Sequence, residues 1–355
     1  MNFRSSAALC ATALLLSGRA QALTILLDYS DDITTDNFFN THPVAKASLE
    51  KARNDIQSAI TSTLGAIVND ITTGTSGTAT ATYDFSFGYT NPSTGAAQTI
   101  ALSTLATNQV RIFVGMRELA GTTLGQGGPG SQAISAGGSA INAADWPGAV
   151  NAANAAATAE RLRGGGPTIN ALAGEIVLGG VPGQINVPYG SSIANLWFDN
   201  DTNNDSVTDN DTQLNAFWHF DSGTSVAAGH SDFYSVAMHE MLHALGVGSS
   251  QSWTADVSGG VNWLGSNVIN LLGSGNNAVT GGHIAAGLNS PSIVDGTMQE
   301  ALMSPAITVG TRKQITQLDL AFLRDIGWQT IPEPSTGALS LAVAGSLLAR
   351  RRRRA

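Results

Sequence analysis

The chain has 355 residues, 17 basic against 26 acidic, for a net charge of −9. That balance excludes a protein built to grip phosphate backbones, which needs a basic face. A single cysteine, Cys10, excludes a disulfide framework and any thiolate metal cluster.

Residues 1–22, MNFRSSAALCATALLLSGRAQA, place Arg4 before an apolar run from Ala7 to Leu16 and end on Ala20-Gln21-Ala22. That order is a secretory signal peptide with its cleavage site. Its removal takes Cys10 away, so no thiol chemistry remains.

Residues 23–330 read as one large α+β unit, with no internal repeat and no linker before Gln329. LTILLD (23–28) is a buried first strand. Between 42 and 65, Val44, Ala45, Leu49, Ala52, Ile56, Ile60 and Leu64 recur every three to four residues. With Pro43 near its start and Gly65 after its end, this predicts an amphipathic helix. Tyr83, Phe85 and Phe87 alternate as in a strand. QVRIFVGMREL (109–119) is the next strand, expected at a sheet edge where an extended peptide substrate pairs with it. GTTLGQGGPGSQ (121–132) reads as a loop. The Ala-, Gly- and Asn-rich stretch 131–174 contains a helix near 148–162, and 175–178 and 192–198 read as strands.

DNDTNNDSVTDND (199–211) alternates Asp199, Asp201, Asn203 and Asp205 as oxygen ligands alternate in calcium loops. Counted from Asp199, the EF-hand pattern breaks at position six (Asn204, not Gly) and position twelve (Asn210, not Glu). A Ca2+ site and a solvated acidic turn are both open.

A helix then runs from Ser231, as N-cap, to Gly246, as stop. It carries His239-Glu240-Met241-Leu242-His243. Four residues advance a helix by 400°, so the two imidazoles lie about 40° apart on one face and reach one ion. Glu240 points aside, within reach of a water on that metal, whose proton it can take. On this composition an accidental HExxH arises in about one chain in 500. A catalytic zinc has three protein ligands and a water, so one more ligand is required. Ser249, six residues after His243, is an alcohol and binds zinc poorly. His230 lies about 13 Å down a helical axis. His42 begins a distant helix, and His219 sits on an expected strand. His283, in TGGHIAAG, is the first choice, with Glu300 and Asp295 as rivals.

His239, Glu240, His243, Gly246, His283 and Met303, in that order, resemble the metzincin zinc peptidases. Within them they resemble the leishmanolysin-like group, whose third histidine lies far downstream, shortly before a methionine turn. The resemblance spans about 230–328; the N-terminal half fits only in its order of strands and helices. It implies a mixed sheet, an active-site helix, a Met-turn at 301–305 with Met303 beneath the metal, and a closing C-terminal helix. ITQLDLAFLRDIGW (315–328) suits that helix, with Leu318, Phe322, Leu323 and Ile326 as its apolar face and Gly327 as its stop. It also implies Zn2+ on His239, His243 and His283, Glu240 as general base, and hydrolysis of a protein or peptide substrate. Two departures stand out: Ser249 replaces the short-spaced histidine of most metzincins, and no tyrosine near Met303 can polarise a substrate carbonyl.

Residues 331–355, IPEPSTGALSLAVAGSLLARRRRRA, join Pro332-Glu333-Pro334, an apolar run from Gly337 to Ala349 and five arginines. The run is shorter than the ~20 residues of a full span, and the arginines hold that end in the cytoplasm. This tail resembles the PEP-CTERM sorting signal of Gram-negative bacteria. The resemblance implies export by the Sec machinery, transient membrane anchoring, recognition by an exosortase, and delivery outside the cell or to the envelope or extracellular matrix. Losing Arg4, Arg19 and the tail arginines leaves 10 of 17 basic residues; losing Glu333 leaves 25 of 26 acidic ones. The mature net charge is then −15. Two other functions stay open: a non-catalytic envelope or matrix protein on the same scaffold, and another zinc hydrolase such as an amidase.

Overall fold

Three apolar segments form the centre of the computed structural model, which describes residues 23–101 and 104–332. Thr24–Asp28, Gln109–Arg117 and Ile193–Asp199 pair in parallel, with Gln109–Arg117 between the other two. Gly125–Pro129 adds an antiparallel edge beside Ile193–Asp199. The sheet is mixed and the chain is α+β. The signal peptide, and the sorting segment from Glu333 onward, lie outside the described residues. Among the described residues no helix is long and apolar enough to cross a membrane.

Two expectations change here. Gln109–Arg117 is paired on both sides, so its backbone groups are engaged and it cannot serve as the substrate-pairing edge. The edge is Gly125–Pro129, inside the glycine-rich stretch expected to be a loop. GQGGP has no side-chain alternation to announce a strand; its pairing comes from backbone alone.

Every residue of Ile193–Asp199 is buried, because both faces of the sheet are covered. Helices Pro43–Ala59 and Phe233–Ala244 share a core with the sheet on one side. Ala45, Leu49, Ala52 and Ile56 form the inward stripe of the first helix, and burying a side chain such as Leu49 contributes about 2 kcal/mol. This helix ends at Ala59, short of Gly65, because Ile60 turns extended and bridges Thr330. Thr61 N–H then donates to the Gln329 carbonyl. The apolar repeat continues, since Ile60 and Leu64 are buried, but in a segment held by the chain's other end. The same cluster runs from Leu23 to Trp328 and includes the closing helix Gln317–Asp325.

On the other face, Phe113 and Ile193 meet Ile67, Phe87 and Leu105, and the Tyr89 ring stacks on Phe113 at 3.8 Å. A second, antiparallel sheet begins there: Ile71–Ser76, Ala79–Thr90, Ala97–Ala101 and Ser131–Ala140. Helix Trp146–Arg161 packs Trp146 and Val150 with Tyr83 and Phe85 of that sheet and with Val187 of the hairpin Thr168–Leu178/Val181–Gly190. Arg163 joins this lobe to the centre by donating to the carbonyls of Gly65, Ala106, Gln109 and Ser191.

Candidate metal centre

Helix Phe233–Ala244 is buried on every side except at His243. Its N-cap is Asp232 rather than Ser231: the Asp232 carboxylate accepts the Ser235 N–H at 3.2 Å and two bonds from the Arg312 guanidinium at 2.8 and 3.0 Å. Ser231 instead pairs with Trp218 in a short parallel bridge. The helix stops as expected at Gly246, whose φ of +104° no β-carbon tolerates well.

The turn after it sets which third side chain approaches the histidine pair. Gly248 has φ +77°, and a β-carbon there would lie 2.1 Å from the Gly282 carbonyl oxygen. Glycine alone lets the turn press against Gly281-Gly282. That contact brings the hairpin of Val279–Thr280 and His283–Ile284 up to the helix. Ser249 turns away, its hydroxyl donating to the His243 carbonyl.

His239, His243 and His283 therefore meet, their ligand nitrogens all within 4.8 Å of one another. His243 Nε2 and His283 Nε2 are 3.2 Å apart. Two nitrogens about 2.1 Å from a tetrahedral ion stand about 3.4 Å from each other, so this spacing fits. His239 Nδ1 is 2.9 Å from the Leu302 carbonyl and His243 Nδ1 is 2.8 Å from that of Val247. A carbonyl only accepts, so each Nδ1 carries the proton and each Nε2 turns its lone pair into the cluster. Burial lowers the pKa of His239 to about 3 and of His243 to about 4, and lowers that of His283 as well. All three are neutral donors at neutral pH. Such an imidazole set suits zinc and related first-row ions. Among the described residues no other three His, Cys, Asp or Glu side chains gather so closely.

The rival ligands are engaged elsewhere. Glu300 accepts the Gly287 N–H at 2.7 Å and pairs with Lys313 at 2.6 Å. Asp295 lies on an exposed turn and accepts the Thr297 N–H. Neither joins the cluster.

Glu240 is 7% exposed and faces the edge strand. A β-carbon on Gly125 would stand 2.9 Å from Glu240 Cγ, and one on Gly127 would stand 2.1 Å from the Glu240 carbonyl oxygen. The glycines that hid this strand from sequence reading are what let it lie on the helix. Burial pushes the Glu240 pKa up to about 8, against a bond from the Gly127 N–H that favours the carboxylate.

Met303 is buried in the turn that follows Ala301. Its carbonyl accepts the Ile284 N–H beside His283, and the Leu302 carbonyl holds His239. Sequence reading missed what anchors this turn. Asp319, buried in the closing helix, accepts the N–H groups of Leu302 and Met303 at 3.0 Å each, and two bonds from Thr316. The signal was present: Thr316-x-x-Asp319 is a capping pattern ahead of an apolar run.

The cluster opens into a cleft of about 940 Å³. One wall is 121–128, the other 304–307 with Val309. Lys313 braces the second wall through bonds to Ser304 Oγ and the Ala306 carbonyl. His42, His219 and His230 line a separate cavity of about 410 Å³. At the mouth of the main cleft, Asp199 serves the end of its strand by accepting the N–H groups of Leu119 and Asp201. Asp201, Asn203 and Asp205 lie in the loop beyond. No protein-family model, curated protein or solved structure matches this chain.

Proposed function

We propose that this chain is a secreted zinc metalloendopeptidase of metzincin-like, leishmanolysin-like kind. Its chief support is the convergence of three neutral imidazole nitrogens beside a buried glutamate on the floor of an open cleft. His239, His243 and His283 would hold the zinc, which would supply a Lewis acid and lower the pKa of a bound water towards 7. Its positive charge would favour the carboxylate form of Glu240. Glu240 is the group placed to take a proton from an attacking water and to pass it to a leaving amine. The open side of Gly125–Pro129 takes the substrate as an added extended strand, the role first expected of 109–119. The turn around Met303 sets the orientation of His239 and His283 through the Leu302 and Met303 carbonyls. Export to the envelope or matrix of a Gram-negative cell, with tail removal by an exosortase, belongs to the same proposal.

Zinc content and casein cleavage test it together. The purified chain should hold about one zinc. Glu240→Gln should keep that zinc and lose cleavage by about 10²- to 10⁴-fold. A chain that takes up no zinc, or a Glu240→Gln variant as active as its parent, rules the peptidase out and leaves a non-catalytic envelope protein.

A further inference from the structure

The loop 201–209 has its hydrogen bonds arranged around a register two residues later than the alternation starting at Asp199 suggests. Asp201 is fully buried, and its two carboxylate oxygens accept the N–H groups of Asp205 at 3.1 Å and Ser206 at 2.8 Å. Asn203 Oδ1 accepts the Asp205 N–H at 3.0 Å, and Asp205 Oδ1 accepts the Val207 N–H at 2.9 Å. Ser206 has φ +64°. Counted from Asp201, it occupies position six, where calcium loops turn sharply and normally carry glycine. Asn203, Asp205, the Val207 carbonyl and Asp209 then fall at positions three, five, seven and nine, and helix Asp211–Phe217 follows.

A second observation, independent of the turn, points to a ligand. Asp209 is 6% exposed; its Oδ2 accepts from Thr202, while its Oδ1 is buried without any hydrogen-bond partner. Asn200, 5% exposed, likewise has a partnerless buried Oδ1, and its carbonyl accepts the Asp209 N–H at 2.8 Å. Orphaned buried oxygens beside a buried carboxylate cost free energy unless a cation satisfies them.

We propose that 201–209 is a calcium site, with the side chains of Asp201, Asn203, Asp205 and Asp209 and the Val207 carbonyl as its oxygen ligands. Position twelve, Thr212, supplies no carboxylate, which places the affinity among weaker extracellular sites. The site reaches the cleft through Asn204. Its amide clamps both the N–H and the carbonyl of Gly121, at 2.8 and 3.0 Å. Gly121 leads directly into the edge strand that lies on Glu240. Calcium therefore orders one wall of the cleft, whether or not the histidine centre is catalytic.

The test is calorimetric titration of the full chain with CaCl2, one equivalent of zinc having been supplied first so that the histidines do not compete. One calcium should bind with a Kd of about 10⁻⁵–10⁻³ M and raise the melting temperature, with Mg2+ at least tenfold weaker. Asp209→Asn and Asp205→Asn should each weaken binding about tenfold or more. Asp205 is exposed, so its variant folds even where Asp209→Asn does not. Asp295→Asn, on a distant turn, should bind as the parent does. Absence of binding up to 10 mM (about tenfold above the weakest such sites), equal affinity for Mg2+, or wild-type affinity in both aspartate variants each overturns the proposal.

Discussion

The histidine centre and the aspartate loop are built on opposite plans. The first joins residues from distant parts of the chain: His283 lies forty positions beyond His243. Its histidines are neutral and at least half-buried, and backbone carbonyls orient His239 and His243 before any ion arrives. The second takes all its proposed ligands from nine consecutive residues, most of them exposed, and carries its strain as unpaired oxygens. The contrast separates two proposed routes to a cation. A site assembled from far apart must be rigid in advance, because no local turn can gather it. A local loop can stay open, because its own backbone fixes the order of its ligands.

The largest effect that breaks the comparison is loss of a distant ligand. His283→Ala should weaken zinc binding by about 10³-fold or more, on the order of 4 kcal/mol of the ~10–16 that a full site provides. Calcium binding should be unchanged, as metal analysis and calorimetry would show. Equal zinc affinity in the variant would mean that the three nitrogens do not act together. Next is Asp319→Ala, which leaves the buried N–H groups of Leu302 and Met303 without acceptors. We expect about 3 kcal/mol or more of lost stability in urea unfolding and a 10- to 100-fold loss of zinc affinity, as for other groups that orient metal ligands.

Gly248→Ala sharpens the same point without touching a ligand. Its β-carbon collides with the Gly282 carbonyl, so His283 should retreat while the helix stays formed. Zinc affinity should drop about tenfold or more with helical circular dichroism retained. Unchanged affinity would show that the hairpin reaches the helix without this contact.

A last effect, seen only without metal, concerns charge. Burial raises the folded pKa of Glu240 to about 8 from an ordinary 4.5. The folded state thus holds that proton longer than the unfolded one, and stability present below pH 4.5 is lost as pH rises towards 8. Metal-free Glu240→Gln escapes this. At pH 7 it should exceed metal-free wild type by on the order of 3 kcal/mol, with the gap closing near pH 4.5. Melting curves across that range would measure it; a constant gap would mean that Glu240 is not desolvated.

The site was more legible than the fold around it. HExxH fixes its own geometry, because helical periodicity alone puts two histidines on one face. Asp201, Asn203 and Asp205 could likewise be singled out, but the proposed register rests on the positive φ at Ser206 and the bonds onto Asp201, which no sequence period announces. Long apolar segments such as 23–28 and 43–59 also declared themselves through their side-chain period. Gly125–Pro129 and Ser131–Ala140 did not, since small residues leave no pattern when backbone pairing is the whole signal.

By itself, then, the sequence determined what is local: the histidine pair with its glutamate, the alternating acidic and amide side chains of 199–209, and the amphipathic stripes. Only the tertiary structure decided what depends on chain segments meeting. It brought His283, and not Glu300 or Asp295, beside the histidine pair, because Gly248 admits Gly282 and because Lys313 holds Glu300 elsewhere. It put Gly125–Pro129 at the sheet edge, because Gln109–Arg117 is paired on both sides. It made Asp319 the anchor of the methionine turn. Local structure follows from bond rotation and period within a few residues; these choices follow from packing and hydrogen bonding between residues that the sequence keeps far apart.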